Sequence, residues 1–363
     1  MKAAVLYEIN KPLVIENVDL DSPKAYEVKV KIAAAGVCRS DLHFMRGEAA
    51  IPLPAVLGHE GSAVVTAVGE LVTRVAPGDH VILSFVPFCG FCKSCLSGRA
   101  NICDTHLATG PNMFDGTRRL HSRGQDLAHM GKVACFAEEA IVPETGVVRI
   151  DNDFPLPQAA LIGCSVTTGV GSVLFNAKVE PGSTVAVIGC GGVGLNVLQG
   201  ARLAGASKII AVDVSDAALE FATRFGATDT VNAQARDPLK ALRELTNGGV
   251  DYAFESFGSS ETISLAFDAS RKGGTAIIVG LAPIGDFAGI DPVALVRQEK
   301  TLKGSYYGTS RPAIDFERMI RLYKEGRVDV DGLITRTYQL DQINEAYEEL
   351  ARGVVGRGII SFS

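Results

Sequence analysis

Residues 184–194 read Thr184-Val185-Ala186-Val187-Ile188-Gly189-Cys190-Gly191-Gly192-Val193-Gly194, and residues 208–213 read Lys208-Ile209-Ile210-Ala211-Val212-Asp213. The first stretch is an apolar run followed by a glycine turn; residues 193–203 then carry apolar side chains at helical spacing, and the second stretch is another apolar run ending in a carboxylate. That order is strand, turn, helix, strand: one βαβ unit with G-x-G-x-x-G at its first turn. Gly189 allows the tight turn, Gly191 lets the backbone approach a pyrophosphate, and Gly194 lets the helix pack closely on the strand. The helix N-terminus beyond Gly192 turns free N–H groups and a favourable dipole towards phosphate. Asp213 is placed to accept hydrogen bonds from an adenosine ribose; its charge repels a 2′-phosphate, and Val214 supplies no compensating cation. The reading is therefore NAD rather than NADP, against the plainer reading of a glycine-rich turn with no ligand. Cys190 reads as a small buried residue.

The alternation continues outward. Helices are expected at 217–225, 238–246 and 261–269, and strands at 228–232, 251–256 and 275–280, which together make a doubly wound parallel α/β sheet. Upstream the chain is β-rich. Short Val, Ile and Ala runs at 2–7, 27–34, 61–68 and 80–85 are bounded by Gly, Pro and Asp, as in a small barrel or sandwich. The character changes near residue 166. After Gly308 a helix is expected at 314–325, a strand at 333–340, a helix at 341–352 and a closing strand at 358–362. Residues 109–131 lack periodicity and read as a long functional loop.

The chain has 363 residues, enough for two or three domains with a sizeable core. It is 47% hydrophobic and 21% charged with a formal net charge of −6, which argues against nucleic-acid or anionic-membrane partners. No apolar run approaches the ~18 residues of a spanning helix, and the N-terminus reads as a first strand rather than a leader. The expected location is the cytoplasm.

The chain has eight cysteines, a number that without a secretion signal points to metal ligands or buried thiols rather than disulfides. Cys89-x2-Cys92-x2-Cys95-x7-Cys103 offers four soft ligands to one tetrahedral zinc. An iron–sulfur cluster takes four cysteines as well, but nothing else in the sequence suggests electron transfer. Structural zinc peptides gain about 10–16 kcal/mol on metal binding, so this lobe is expected to lose its order without the ion. Cys38, His59 and Cys164 add two sulfurs and an imidazole, the donor set of a zinc site with an open fourth position. Their sequence spacing does not by itself bring them together.

The motifs Cys38-Arg39-Ser40-Asp41-Leu42-His43, Gly58-His59-Glu60, the four-cysteine lobe, Cys164, the 189–194 turn, Asp213 and Arg357-Gly358-Ile359-Ile360-Ser361-Phe362 carry a resemblance. The sequence resembles the zinc-dependent medium-chain alcohol dehydrogenases over essentially its whole length. The resemblance implies a GroES-like β-rich catalytic domain over 1–165 with a structural zinc lobe at about 88–104. It implies a Rossmann NAD-binding domain over 166–308, a C-terminal return to the catalytic domain over 309–363, and an active site in the cleft between the domains. Two zinc ions per subunit and NAD are implied, with Cys38, His59 and Cys164 on the catalytic zinc and Cys89, Cys92, Cys95 and Cys103 on the structural one. Glu60 is the carboxylate near the metal, and Asp41 orients His59. Ser40 and His43 form the proton relay, and Arg39 and Arg357 contact the pyrophosphate. Thr168 and Val193 lie by the nicotinamide, beside the Gly189, Gly191, Gly192 and Gly194 turn. Phe85 and His129 line the substrate pocket. The family associates through the Rossmann sheet edge, so 301–306 is expected to join subunits as a homodimer or homotetramer.

The implied activity is reversible hydride transfer between a primary or secondary alcohol and NAD. The alternatives are a thiol-adduct-dependent formaldehyde dehydrogenase and a nicotinoprotein that keeps its NAD. Two positions depart from the pattern. Ala63 stands where the family has Gly, and Leu107 stands where the thiol-adduct branch carries a basic residue. A non-catalytic relative would have lost metal ligands, and none is missing.

Overall fold

Parallel strands pair in the order Asp229–Asn232, Lys208–Asp213, Thr184–Ile188, Val250–Glu255, Ser270–Ile278, Thr301–Gly304. The register runs from Thr184 opposite Lys208 to Ile188 opposite Val212. Val185–Ile188 are buried along one strand and Ile209–Val212 along its neighbour, as a sheet covered by helices on both faces requires. The order reverses at Thr184–Ile188, where the next strand in sequence lies on one side and Val250–Glu255 on the other. In such a sheet the ligand crevice opens beyond the carboxyl ends of the strands flanking that reversal, which is where the 189–194 turn begins.

The computed structural model that carries these strands describes residues 1–362. The chain forms two units. One holds Met1–Cys164, Arg311–Glu325 and the residues from Val330 on; the other holds Ser165–Ser310 and Gly326–Asp329. Gly326–Asp329 joins the parallel-sheet unit although its neighbours on both sides do not. The Asp329 N–H donates to Gln199 Oε1 at 2.7 Å and the Gln199 amide donates back to the Asp329 carbonyl.

The β-rich unit has two sheets. In the larger, the strands run Val147–Ile150, His80–Leu83, Gly61–Val68, Glu27–Gly36, Arg357–Ser361, Ile334–Gln339, and Glu139–Pro143 also pairs with Glu27–Gly36. The last strand of the chain thus lies antiparallel to one begun near residue 27, which is why the C-terminal segment returns to this unit. The smaller sheet runs Val14–Asn17, Lys2–Leu6, Ala55–Val56, Gln125–His129, Leu120–Ser122, Asp19–Leu20.

Two expectations are corrected here. Residues 109–131 are not a structureless loop: they contain the hairpin Leu120–Ser122 and Gln125–His129. Arg119, 1% exposed, ties the hairpin down through Glu27 (2.6 Å) and Asp115 (2.8 Å). Strands this short show no periodicity in the sequence. The second correction concerns apolar length. The helix Leu156–Ala177 is long and apolar enough by composition to cross a membrane, but 83% of its apolar window is buried inside the protein, as in a core helix. Ser165, Thr167, Thr168 and Ser172 interrupt its apolar run, so the sequence alone did not read as one span.

Candidate functional site

Three chain segments build the buried cluster of the β-rich unit. Glu27–Gly36 ends at Gly36, and two residues later Cys38 precedes the helix Arg39–Met45 in an extended conformation. Gly58 adopts φ +88°, and the Phe136 ring and backbone lie within 2.7 Å of where a Cβ would stand. Only glycine fits there, and the turn delivers His59 and Glu60 into the interior. The third segment is π-helical, Ile162–Val166, and carries Cys164; such widened turns recur at functional sites. Gly163 lets it approach, since a Cβ would meet the Leu83 carbonyl at 2.8 Å.

The ligand atoms of Cys38, His59 and Cys164 lie within 4.8 Å of one another, and all three residues are buried. Cys164 Sγ is 3.4 Å from His59 Nε2. Of the two sulfurs, the more acidic is Cys38. The Cys164 thiol donates to it and, against burial, holds it well below the usual range, helped by His59 and Arg357. That donation, together with burial, holds Cys164 well up. Two sulfurs and a ring nitrogen converging in a dry interior fit a zinc ion with one position open, and such an ion would ionise both thiols.

On the far side of the ring, His59 Nδ1 faces Asp41 Oδ1 at 3.2 Å, and the same oxygen accepts the Gly58 N–H at 2.9 Å. Asp41 is fully buried and fixes the tautomer that presents Nε2 to the cluster. Glu60, also fully buried, pairs with the Arg357 guanidinium; it occupies the space a Cβ at Gly36 would need. Phe85 stands edge-on to His59, ring centroids 5.2 Å apart at 87°.

Ser40 Oγ is 3.7 Å from Cys38 Sγ. Ser40 and His43 are three residues apart on one helix and so lie on one face. Ser40 does not cap that helix, because the flanking position belongs to Cys38. Half-buried His43 pairs through Nδ1 with Glu48, a partner not anticipated from the sequence, where its spacing five residues on was the only signal. Arg39 is exposed.

His129 requires a correction. It is fully buried in the strand Gln125–His129, and its Nε2 accepts the Arg119 N–H at 3.0 Å. It does not line an open pocket. Burial and nearby cations, Arg119 foremost, hold its ring down to about 3.

The four-cysteine lobe is also assembled, with all four sulfurs within 4.8 Å. Backbone N–H groups point at sulfur throughout. Cys92 N–H donates to Cys89 (3.3 Å), Cys89 N–H to Cys103 (3.3 Å), Cys95 N–H to Cys92 (3.5 Å) and His106 N–H to Cys103 (3.4 Å). Donors of this kind suit thiolates. Burial raises Cys89, but the Thr105 hydroxyl and the Phe91 and Cys92 N–H groups outweigh it and bring the thiol to about 6. Burial pushes Cys95 to about 12. Four converging sulfurs with this wiring fit a closed tetrathiolate zinc site.

In the parallel-sheet unit, Gly189 has φ +92° and Gly191 has open space where a Cβ would stand. A Cβ at Gly194 would meet the Gly189 carbonyl and, at 2.8 Å, Ser256 Oγ. Asp213 ties the turn together, accepting from Cys190 N–H (2.8 Å), Val214 N–H (2.8 Å) and Ser215 N–H (3.1 Å). A carboxylate has about four acceptor directions, so about one remains for a ribose hydroxyl. The turn at Gly189, the helix Gly192–Leu203 and the open space over Gly191 fit a dinucleotide pyrophosphate. Cys190 is buried and its thiol is pushed up by burial.

Residues 24–152 match the alcohol dehydrogenase GroES-like domain, and residues 192–325 match the zinc-binding dehydrogenase family. The S-(hydroxymethyl)glutathione dehydrogenase of Saccharomyces cerevisiae is 42% identical over 361 residues, covering 97% of this chain and 93% of the relative. The chain belongs to the zinc-dependent medium-chain dehydrogenase family. Among solved structures of related dehydrogenases, an alcohol dehydrogenase zinc-binding domain protein from Burkholderia ambifaria superposes with TM-score 0.94 at 36% identity, covering 100% of this chain and 98% of that one. Benzyl alcohol dehydrogenase from Acinetobacter calcoaceticus superposes with TM-score 0.92 at 34% identity, covering 100% and 99%. In this dehydrogenase, Gly169, the residue after Thr168, packs so closely on the helix Gly192–Leu203 that a Cβ there would lie 2.6 Å from the Val193 carbonyl.

Proposed function

We propose that this chain is a zinc-dependent alcohol dehydrogenase that transfers a hydride reversibly between a primary or secondary alcohol and NAD, yielding an aldehyde or ketone. The observation that carries the reading is the convergence of Cys38, His59 and Cys164 in a chain that also holds an intact nucleotide turn. Cys38, His59 and Cys164 hold the catalytic zinc, and Cys89, Cys92, Cys95 and Cys103 the structural one. When bound, zinc supplies a Lewis acid that makes a substrate hydroxyl ionisable, and NAD supplies the hydride acceptor.

The chain's own residues do the rest. Asp41 keeps His59 in register, and Glu60 with Arg357 sets the charge beside the sulfurs. Ser40 accepts the proton leaving the hydroxyl, and His43, held by Glu48, hands it towards solvent. Phe85 covers one side of His59 and lines the substrate pocket. Gly189, Gly191, Gly192 and Gly194 cradle the pyrophosphate, Arg39 contributes charge to it, Thr168 and Val193 flank the nicotinamide, and Asp213 selects NAD by its charge. The protein works in the cytoplasm, where its eight free cysteines remain reduced. It associates as a homodimer or homotetramer through the edge strand Thr301–Gly304, all four residues of which are exposed.

The test is NAD reduction over a panel of primary, secondary, allylic and aromatic alcohols and the glutathione–formaldehyde adduct, with metal analysis of the same sample. Cys38→Ala is expected to abolish alcohol oxidation and leave NAD binding intact. Turnover by a variant lacking the catalytic metal would refute the mechanism, and light scattering that finds only monomer would remove the proposed association.

A further inference from the structure

Behind the metal cluster, Oδ2 of Asp41 and the hydroxyl of Tyr347 have no hydrogen-bond partner among the described residues. Both residues are buried, Asp41 completely and Tyr347 to 2% exposure. One is an acceptor and the other a donor, and a buried polar group left unpaired is costly. The packing brings them to the same place. Tyr347, on the helix Ile343–Ala351, sets its ring edge-on to Phe136, with centroids 6.0 Å apart at 68°. Phe136 fills the space beside Gly58, whose N–H is held by Asp41. Tyr347 lies within electrostatic and hydrogen-bonding reach of Asp41 and within electrostatic reach of Cys38.

We propose that Tyr347 is a positioning residue for the metal site: its hydroxyl donates to Oδ2 of Asp41 and thereby holds the carboxylate that orients His59. The inference rests on the zinc reading above. Burial first, then the charges of Asp41 and Cys38, push the phenol well above its ordinary range, so Tyr347 is a donor at every working pH. Buried Cys135 also lies within electrostatic reach of this carboxylate, but it is a weak donor, its thiol pushed up by burial and by the charges of Asp41 and Glu60. Without Tyr347, Oδ2 has no strong donor, the carboxylate is freer to turn, and the imidazole loses its fixed orientation. The competing view is that Tyr347 is only a core ring, in which case phenylalanine would serve equally.

Tyr347→Phe keeps the ring and removes the hydroxyl. Zinc release to a chelator is timed separately for the two sites of the same molecule, and the visible spectrum is recorded with cobalt at the catalytic site. The expected result is release from the Cys38–His59–Cys164 site about tenfold faster, the low end of what losing an outer-sphere partner costs. The four-cysteine lobe should be unchanged, the cobalt bands altered, and the effect of Y347F absent in an Asp41→Asn background. Unchanged release and spectrum, equal loosening of both sites, or an effect that persists with D41N would each overturn the proposal. A high-resolution structure of the unaltered holoenzyme tests it without a variant: a Tyr347 hydroxyl within ~3 Å of Asp41 Oδ2 is expected, and one turned to another acceptor overturns it. Absence of metal from the unaltered protein's Cys38–His59–Cys164 site would instead defeat the zinc reading itself.

Discussion

Arg357 and Glu60, 297 positions apart in sequence, form a buried ion pair beside the Cys38–His59–Cys164 cluster. The resemblance implies a pyrophosphate contact for the arginine and a place near the metal for the glutamate; in the folded chain each also answers the other. Removing one partner of a buried pair costs about 3–5 kcal/mol because the remaining charge stays buried. Arg357→Met is expected to lose stability of that order. Glu60→Gln combined with Arg357→Met should recover much of it. Urea denaturation of the single and double variants checks this, and equal losses in both would refute the coupling.

The glycines of the nucleotide turn divide into two kinds. Gly191 faces open space, whereas a Cβ at Gly194 would collide with the Gly189 carbonyl. Gly191→Ala should therefore fold normally and lose NAD affinity by tenfold or more, since about 1.4 kcal/mol of obstruction already gives that factor. Gly194→Ala should lower the thermal midpoint. Calorimetry with NAD separates the two; an alanine at 191 that leaves affinity intact would place the pyrophosphate elsewhere.

Asp213 carries both the turn and the cofactor choice. Asp213→Gly is expected to shift the NADP-to-NAD ratio of kcat/KM by at least about tenfold, one favourable interaction's worth, while weakening NAD binding because three N–H groups lose their acceptor. Steady-state kinetics with both nucleotides decide the matter. An unchanged ratio would count against the ribose assignment.

Chelation should act locally. The sulfurs of the lobe are ordered around one point, and without an ion the thiolates must repel one another or reprotonate. Under a strong chelator, limited proteolysis is expected to cut within residues 88–104 while 165–310 stays intact. A lobe that remains protected after its metal is removed would mean that packing, not metal, orders it.

His129 makes a pH dependence. The folded ring is held down to about 3, against 6.5 for an unperturbed imidazole. Below pH 6.5 the unfolded chain takes up a proton that the folded chain refuses. Stability from this group is therefore full above that value and falls as the pH drops towards 3. Between pH 7 and pH 5 the loss is about 2 kcal/mol, from 1.4 kcal/mol per unit. His129→Gln keeps an acceptor for the Arg119 N–H and should lack this component. Urea melts at the two pH values measure it, and parallel losses in both proteins would contradict the assignment.

Much of the architecture was legible because it rests on local chemistry. Thr184–Ile188, Gly61–Val68 and Pro238–Thr246 fall where the apolar runs and turn residues predict them. The four cysteines of the lobe are close in the chain, so spacing alone suggests their convergence. The hairpin at 120–129 was not legible, because strands of three and five residues show no period. Nor was the π-helical segment holding Cys164, because widening a helix by one residue leaves no mark on its composition.

The sequence by itself determined the doubly wound sheet, the glycine turn with Asp213 and the four-cysteine lobe, which follow from residue type and short spacing, whereas Cys38, His59 and Cys164 are a set only through the family resemblance. Only the tertiary structure decided that Arg357 answers Glu60, that Glu48 pairs with His43 and that His129 lies inside a strand. Those relationships join residues up to three hundred positions apart, and burial sets them: a charge or hydroxyl shut away from water must find whatever partner the packing brings to it.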